Sequence, residues 1–199
     1  EYREDAAGVR NLELRVQVDL IVDGVDEAVQ ALTGVGVLGV GHDREQVAAA
    51  ITHLDPAATL AVQEAQLGTG HAVRVALEAA GGAPAHTYVI TYGDVPLLSA
   101  QTLRDLIDEH HQQHRAVTIL TADLADPTGY GRIIRDDTGA VTAIREHKDA
   151  SDDERGVTEV NSGILVVSGD FLAPAVSSLD TSNQQGELYL TDIVGQAVD

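Results

Sequence analysis

Residues 59–97 read TLAVQEAQLGTGHAVRVALEAAGGAPAHTYVITYGDVPL. Thr59 to Gln63 has the short apolar character of a strand, and the Gly68-Thr69-Gly70 turn follows it. The alanine-rich stretch from about 71 to 80 predicts a helix, ended by Gly81 and Gly82. Thr87 to Tyr92 reads as a buried strand, and Gly93-Asp94-Val95-Pro96 turns out of it.

Downstream, Ser99 caps a second helix with Leu103, Leu106 and Ile107 inward, and Ala116 to Thr121 is the next strand. This alternation predicts an α/β fold: a mostly parallel mixed sheet with helices on both faces. After residue 128 the pattern changes. Arg132 to Arg135 and Val141 to Arg145 flank Asp136-Asp137-Thr138-Gly139, a hairpin signal. Val160 to Val167 is a further strand, with helical pieces near 169–178 and 187–198. Upstream, residues 11–19 alternate as a strand with one wet face, and Ile21, Val22, Val25, Val29 and Leu32 follow helical spacing. Val35 to Val40 is a short apolar run. Asp43, with Gln46 in the capping-box position, starts a helix that continues to Leu54 and ends at Pro56. Neither an internal repeat nor a linker divides the chain, so residues 1–199 are expected to form a single domain.

The formal charge of −20, from 32 acidic against 12 basic residues, opposes binding to a nucleic-acid backbone. Lys148 is the only lysine, which fits either a GC-rich genome or salt adaptation. A phosphate substrate would therefore be neutralised mainly by backbone amides and a divalent cation. No stretch approaches the roughly 18 apolar residues of a membrane span. With no cysteine and no charged-then-apolar leader, a cytoplasmic location without membrane contact is expected.

Three turns sit where ligands collect in such sheets, at the ends of strands. Gln63 to His71 contains a Gly-x-Gly before a helix N-terminus, which either touches a ligand or is simply a tight strand-to-helix turn. Asp94, following the most apolar strand, either holds Mg²⁺ or caps a turn. Pro127 to Arg132 is a glycine-rich bend into the hairpin. His110, His111 and His114 lack a third metal ligand nearby and are expected at an exposed helix end. The acidic run Asp149 to Glu154 reads as a solvated loop. No Ser-His-Asp order, Walker loop or paired-carboxylate motif stands out.

Six stretches taken together are far more specific: QEAQLGTGH (63–71), YGDVPL (92–97), PTGYGRI (127–133), EHKDA (146–150), EVNSG (159–163) and QGELYLTD (185–192). In their order and spacing, over about 40–199, the chain resembles the N-terminal uridylyltransferase (pyrophosphorylase) domain of the bacterial bifunctional GlmU family. The resemblance implies a Rossmann-like nucleotide-diphospho-sugar transferase fold. It also implies Mg²⁺-dependent formation of UDP-N-acetylglucosamine and pyrophosphate from UTP and N-acetylglucosamine-1-phosphate, for peptidoglycan and cell-wall precursors. Another sugar-1-phosphate nucleotidyltransferase of this fold, or a binding-only UDP-sugar protein, are the alternatives.

By the same resemblance, Gln63, Gly68 and Thr69 correspond to the uracil-recognising turn, with Tyr92 and Gly93 lining the same cleft. Asp94 corresponds to the catalytic aspartate that binds Mg²⁺. Gly131, Glu146 and Asn161 correspond to sugar contacts, and Glu187, Tyr189 and Thr191 shape the pocket around the N-acetyl group and the sugar phosphate. Residues 1–20 depart from the pattern. The family opens with an apolar strand running into Leu-Ala-Ala-Gly-x-Gly-Thr-Arg-Met and a later Pro-Lys pair, of which Ala6-Ala7-Gly8 is only an echo. The second metal ligand and the family's β-helix acetyltransferase domain, with most of its trimer contacts, would lie beyond Asp199. The domain is therefore expected to be incomplete at both ends and to turn over at least about a hundredfold more slowly than an intact member.

Overall fold

The computed structural model describes residues 18–22, 37–40, 52, 59–81, 86–92 and 98–198. Among them one sheet contains β1 (Val18–Val22), β2 (Val37–Val40), β3 (Thr59–Val62), β4 (Thr87–Tyr92), β5 (Val117–Asp123), β6 (Arg132–Arg135), β7 (Val141–Arg145) and β8 (Glu159–Ser168). The helices are α1 (Thr69–Ala79), α2 (Ala100–Gln113), α3 (Asp152–Arg155), α4 (Gly169–Ser177) and α5 (Ile193–Val198), the last preceded by a 3₁₀ turn, Leu190–Asp192. The strand order is β3-β2-β1-β4-β8-β6-β7, with β5 also paired to β8.

The pairing differs from the mostly parallel sheet expected. Among the described strands only β2 and β3 pair in parallel; β1 with β2 and β4, β8 with β4, β5 and β6, and β6 with β7 are antiparallel. Following these pairings, β2, β3, β4 and β5 all share one sense, as strands joined by crossover helices should. The antiparallel contacts arise because β1 lies between β2 and β4, and β8 between β4 and β5.

The apolar run Ile164–Val167 is buried throughout, which makes β8 a central strand served from both edges. One edge carries β5 from Val117 to Asp123, with a register shift between Ile119 and Thr121. The other carries β4 opposite Leu165–Ser168, and then β6, with Arg132 opposite Val160. Between those two partners lies Gly163, at φ +83, and the Tyr92 ring covers it: a Cβ there would stand 1.8 Å from Tyr92 Cε2. Only glycine fits both the backbone angle and the overlying ring.

Alternation along the strands then sorts the core. Tyr88, Ile90, Leu165 and Val167 join Val73, Ala76, Leu172 and Ile193 on one face. Val89, Ile164 and Val166 meet Leu103 and Ile107 of α2 on the other, so helices cover both faces as expected. Burial of side chains such as Ile90, Leu165 and Leu172 contributes roughly 1.5–3 kcal/mol each.

Local details confirm some expectations and change others. Ser99 Oγ accepts from Thr102 N at 3.0 Å, capping α2. The hairpin turn is held by Asp136 Oδ1, which accepts from Thr138 N at 2.9 Å and Ala140 N at 3.0 Å, with Gly139 at φ +86. Val18 and Asp19, read as strand, lie in β1, and Ile21 and Val22, read as helical, belong to the same strand; the rest of the 11–32 reading lies outside the described residues. So does the 43–54 helix, apart from Thr52, which is helical. The acidic run is not wholly a loop. Ser151 and Glu154 form a reciprocal capping box that starts α3, and Asp149 is partly buried. His110 is not exposed: it is 2% accessible, with Nδ1 2.9 Å from Thr118 Oγ1 and Nε2 3.3 Å from Ser168 Oγ. Burial, with the neighbouring His111 and Arg115 charges, holds its pKa below the usual histidine value. It joins α2 to β5 and β8. Among the described residues no helix is long and apolar enough to cross a membrane.

Candidate functional site

The turn between β3 and α1 is closed by its own side chain and by a partner segment. Gln63 Nε2 donates to Gly68 O at 3.2 Å and lies 2.9 Å from His71 Nδ1. Gly68, at φ +101, precedes α1, and a Cβ there would come within 2.6 Å of Leu188 O and 2.9 Å of Glu187 Cβ. That approach permits two backbone bonds: Gly70 N donates to Leu188 O at 2.8 Å, and Leu188 N donates to Leu67 O at 2.8 Å. Leu190 N then donates to Thr69 Oγ1 at 3.0 Å. These bonds keep Glu187 and Leu188 out of the helix expected over 187–198, which begins instead at the Leu190 turn.

The second half of the site is built from side chains. Gly131 is buried, its carbonyl accepts from Asn161 N at 2.9 Å, and a Cβ on it would stand 3.4 and 3.5 Å from the two Glu146 carboxylate oxygens. Asn161 Oδ1 accepts from Gly163 N at 3.0 Å, directly beneath Tyr92. Thr191 Oγ1 donates to Glu146 Oε1 at 2.9 Å. Burial pushes the Glu146 pKa up; the Thr191 bond opposes this, and the Asp192 and Asp149 charges add to it. The Tyr189 hydroxyl, pushed up to about 12 chiefly by burial, accepts from Gln185 Nε2 at 2.7 Å. The Asp149 and Glu146 charges and a side-chain hydrogen bond with Asp149 add to the rise.

These contacts form one continuous path. It runs from Gln63 through Gly68 and Thr69 to the 187–191 segment with Glu187, Tyr189 and Thr191. From Thr191 it continues through Glu146, Gly131 and Asn161 to Tyr92. All the expected site residues that lie among the described ones are therefore brought together. Gly93 and Asp94 lie outside the described residues, immediately after β4. A groove of about 710 Å³ lined by Val117, Ile119, Arg135, Val141, Val194 and Val198 lies elsewhere and contains none of the expected residues.

Sequence reasoning passed over several residues that hold this site. Lys148 Nζ donates to Gln185 Oε1, Gln184 N donates to Asp149 Oδ1 at 2.9 Å, and Asn183 Oδ1 accepts from Gln185 N and Glu187 N, each at 3.2 Å. Arg132, inside the PTGYGRI stretch, is 1% accessible. The only signal for these residues was their place inside or beside the matched stretches.

Residues 32–199 match the nucleotidyl transferase family. The bifunctional protein GlmU of Streptomyces avermitilis is 54% identical over 160 residues, covering 80% of this chain and 33% of that protein. GlmU of Corynebacterium efficiens is 51% identical over 162 residues, covering 79% and 33%. The chain thus spans about a third of the length of the curated relatives it matches. Apo UDP-glucose pyrophosphorylase superposes with a TM-score of 0.54 at 13% identity, over 78% of this chain and 58% of that one. HddC from Yersinia pseudotuberculosis complexed with GMP-PN gives 0.52 at 17% identity, over 78% and 61%. At these identities the likeness is one of fold, and it agrees with the single mixed sheet covered by helices on both faces. With the family match extending over most of the sequence, the chain belongs to the nucleotidyl transferase family.

Proposed function

We propose that this domain transfers a uridylyl group from UTP to N-acetylglucosamine-1-phosphate, forming UDP-N-acetylglucosamine and pyrophosphate. The observation that carries this reading is the continuous contact path joining the 63–71 turn to Gly131, Glu146, Asn161 and the 187–191 segment. Its likeness to the bifunctional GlmU proteins supports the choice of base and sugar.

In this reading a phosphate oxygen of the sugar phosphate attacks the α-phosphorus of UTP. A new P–O bond forms, the bond to the bridging oxygen breaks, and pyrophosphate leaves. The attacking oxygen is already anionic near neutral pH, so no general base is required, and the protein's work is alignment and charge stabilisation. Gln63, Gly68 and Thr69 hold the uracil, with Tyr92 and Gly93 beside it. Gly131, Glu146 and Asn161 receive sugar hydroxyls, while Glu187, Tyr189 and Thr191 surround the acetamide. Convergent short-range hydrogen bonds of this kind reject substrates that leave them unmade.

Among the described residues no group of three or more His, Asp or Glu side chains could hold a metal ion. By likeness to the GlmU proteins, the proposed Mg²⁺ would be held by Asp94 together with phosphate oxygens. Bound there, it would neutralise developing phosphate charge. The product would serve cell-wall precursor synthesis in the cytoplasm, and the family's homotrimer would depend on its acetyltransferase domain.

Pyrophosphate release from UTP and N-acetylglucosamine-1-phosphate, with and without Mg²⁺, tests the reading. Slow Mg²⁺-dependent turnover is expected, at least about a hundredfold below an intact family member because residues 1–20 lack the family's glycine-rich loop. Preference for another sugar phosphate or another nucleotide would overturn the substrate assignment. Nucleotide binding without turnover would instead mark a binding-only protein.

A further inference from the structure

We infer that Arg132 is a positioning residue for the sugar half of the site: its buried guanidinium holds the two segments that face each other across the gap between Gly131 and Glu146. The inference rests on the functional reading above.

Arg132 lies on β6 opposite Arg145 and Val160, and its side chain is 1% accessible. Burying a cation is costly unless it is paired. Yet among the described residues no salt bridge forms to it, although its charge acts on Asp126. Nη1 donates to Tyr130 O, while Nη2 lies 3.3 Å from His147 Nδ1 and 3.5 Å from Arg155 O. Its Nε is buried with no partner. With no ion pair to hold it, the guanidinium is kept in place by these hydrogen bonds, and its role follows from the segments they join.

Tyr130 immediately precedes Gly131, His147 immediately follows Glu146, and Arg155 ends α3, which closes the loop after Glu146. A planar fork that donates to separate segments fixes their relative placement in a way that a flexible side chain does not. The gap it governs is narrow, since a Cβ at Gly131 would meet Ile144 Cγ2 at 2.9 Å and the Glu146 oxygens at 3.4 and 3.5 Å. A sugar seated against these groups would feel even a small shift of either wall. The 63–71 turn is held by separate bonds, to Leu188 and Leu190, and does not depend on Arg132.

The test uses Arg132→Met, which removes the charge and the donors, and Arg132→Lys, which keeps the charge without the planar fork. Calorimetry compares UDP-N-acetylglucosamine with UDP, and amide hydrogen exchange follows residues 128–131, 146–150 and 63–71. Arg132→Met is expected to weaken UDP-N-acetylglucosamine binding about tenfold while leaving UDP within about twofold. Exchange should rise at 128–131 and 146–150 but not at 63–71. Arg132→Lys should show the same selective loss to a smaller degree, and it decides the matter if Arg132→Met does not fold. Equal losses for both ligands, no loss for either, a lysine variant indistinguishable from wild type, or two variants that both fail to fold would each overturn the inference alone. A wild-type chain that binds neither ligand would overturn the functional reading, and this inference with it.

Discussion

The two halves of the site are held by different chemistry. Around the 63–71 turn the decisive contacts are backbone bonds, Gly70 to Leu188 and Leu188 to Leu67, made possible by glycines that admit a second chain segment. Around Gly131 and Glu146 they are bonds made by side chains: Thr191 to Glu146, Gln185 to Tyr189, and Gly163 N to Asn161 Oδ1. The first half should fail when volume is added. The second responds to protonation and fails when a polar group is removed.

The largest effect is expected on the backbone side. Gly68→Ala places a methyl 2.6 Å from Leu188 O at a backbone angle of φ +101. Left-handed strain and overpacking together should cost about 3 kcal/mol in urea denaturation. A loss below about 1 kcal/mol would show that Leu188 moves aside and that the clamp is soft.

On the side-chain side, Thr191→Val deletes the donor to Glu146 Oε1, at a buried position. It should cost roughly 1–3 kcal/mol at pH 7. The loss should shrink as pH falls and Glu146 protonates, because the Thr191 bond favours the ionised carboxylate. A loss independent of pH would detach Thr191 from Glu146.

Glu146→Gln should act in the opposite direction. Burial raises the folded-state pKa of Glu146 above its unfolded value, so its contribution to stability is fully present below the unfolded value of 4.5 and is lost as pH rises through the folded one. At pH 7 the ionised form therefore opposes folding, and the amide should stabilise by roughly 1 kcal/mol. That gain should disappear near pH 4, while affinity for the sugar nucleotide falls. Thermal unfolding across pH reads both parts of the stability forecast, and destabilisation at pH 7 would contradict it.

Away from both halves, Arg135 holds Glu159 through two bonds of 2.8 and 2.7 Å at the surface. Glu159→Gln should cost less than about 1 kcal/mol, less still in high salt, and should leave ligand affinity unchanged.

What was legible in the sequence was largely local. The Ser99 cap, the Asp136 turn and the β3-α1-β4 order each depend on residues a few positions apart, and the structure shows them where expected. Helical spacing placed Leu103 and Ile107 inward, and the strand-helix order implied that β3, β4 and β5 share a sense. It could not tell that β8 lies between β4 and β5, because neighbour choice is a long-range property. Leu188 looked helical because its apolar spacing is; its backbone bonds to Leu67 and Gly70 come from a segment more than a hundred residues earlier. His110 was expected at an exposed helix end, and it is buried because Thr118 and Ser168 receive or supply its hydrogen bonds. The capping-box pattern of Ser151 and Glu154 was present in the sequence, masked by the surrounding acidic run. The site residues became legible only through six stretches in a family's order, since no single turn among them identifies its ligand.

The most direct measurement of the functional reading is the affinity of this chain for UDP-N-acetylglucosamine against UDP-glucose by calorimetry. The two ligands share the uridine that the backbone half would hold and differ at the acetamide assigned to Glu187, Tyr189 and Thr191. The expected result is a preference of roughly ten- to a hundredfold for the N-acetyl sugar, the loss of a matched polar contact. Equal affinities would contradict it.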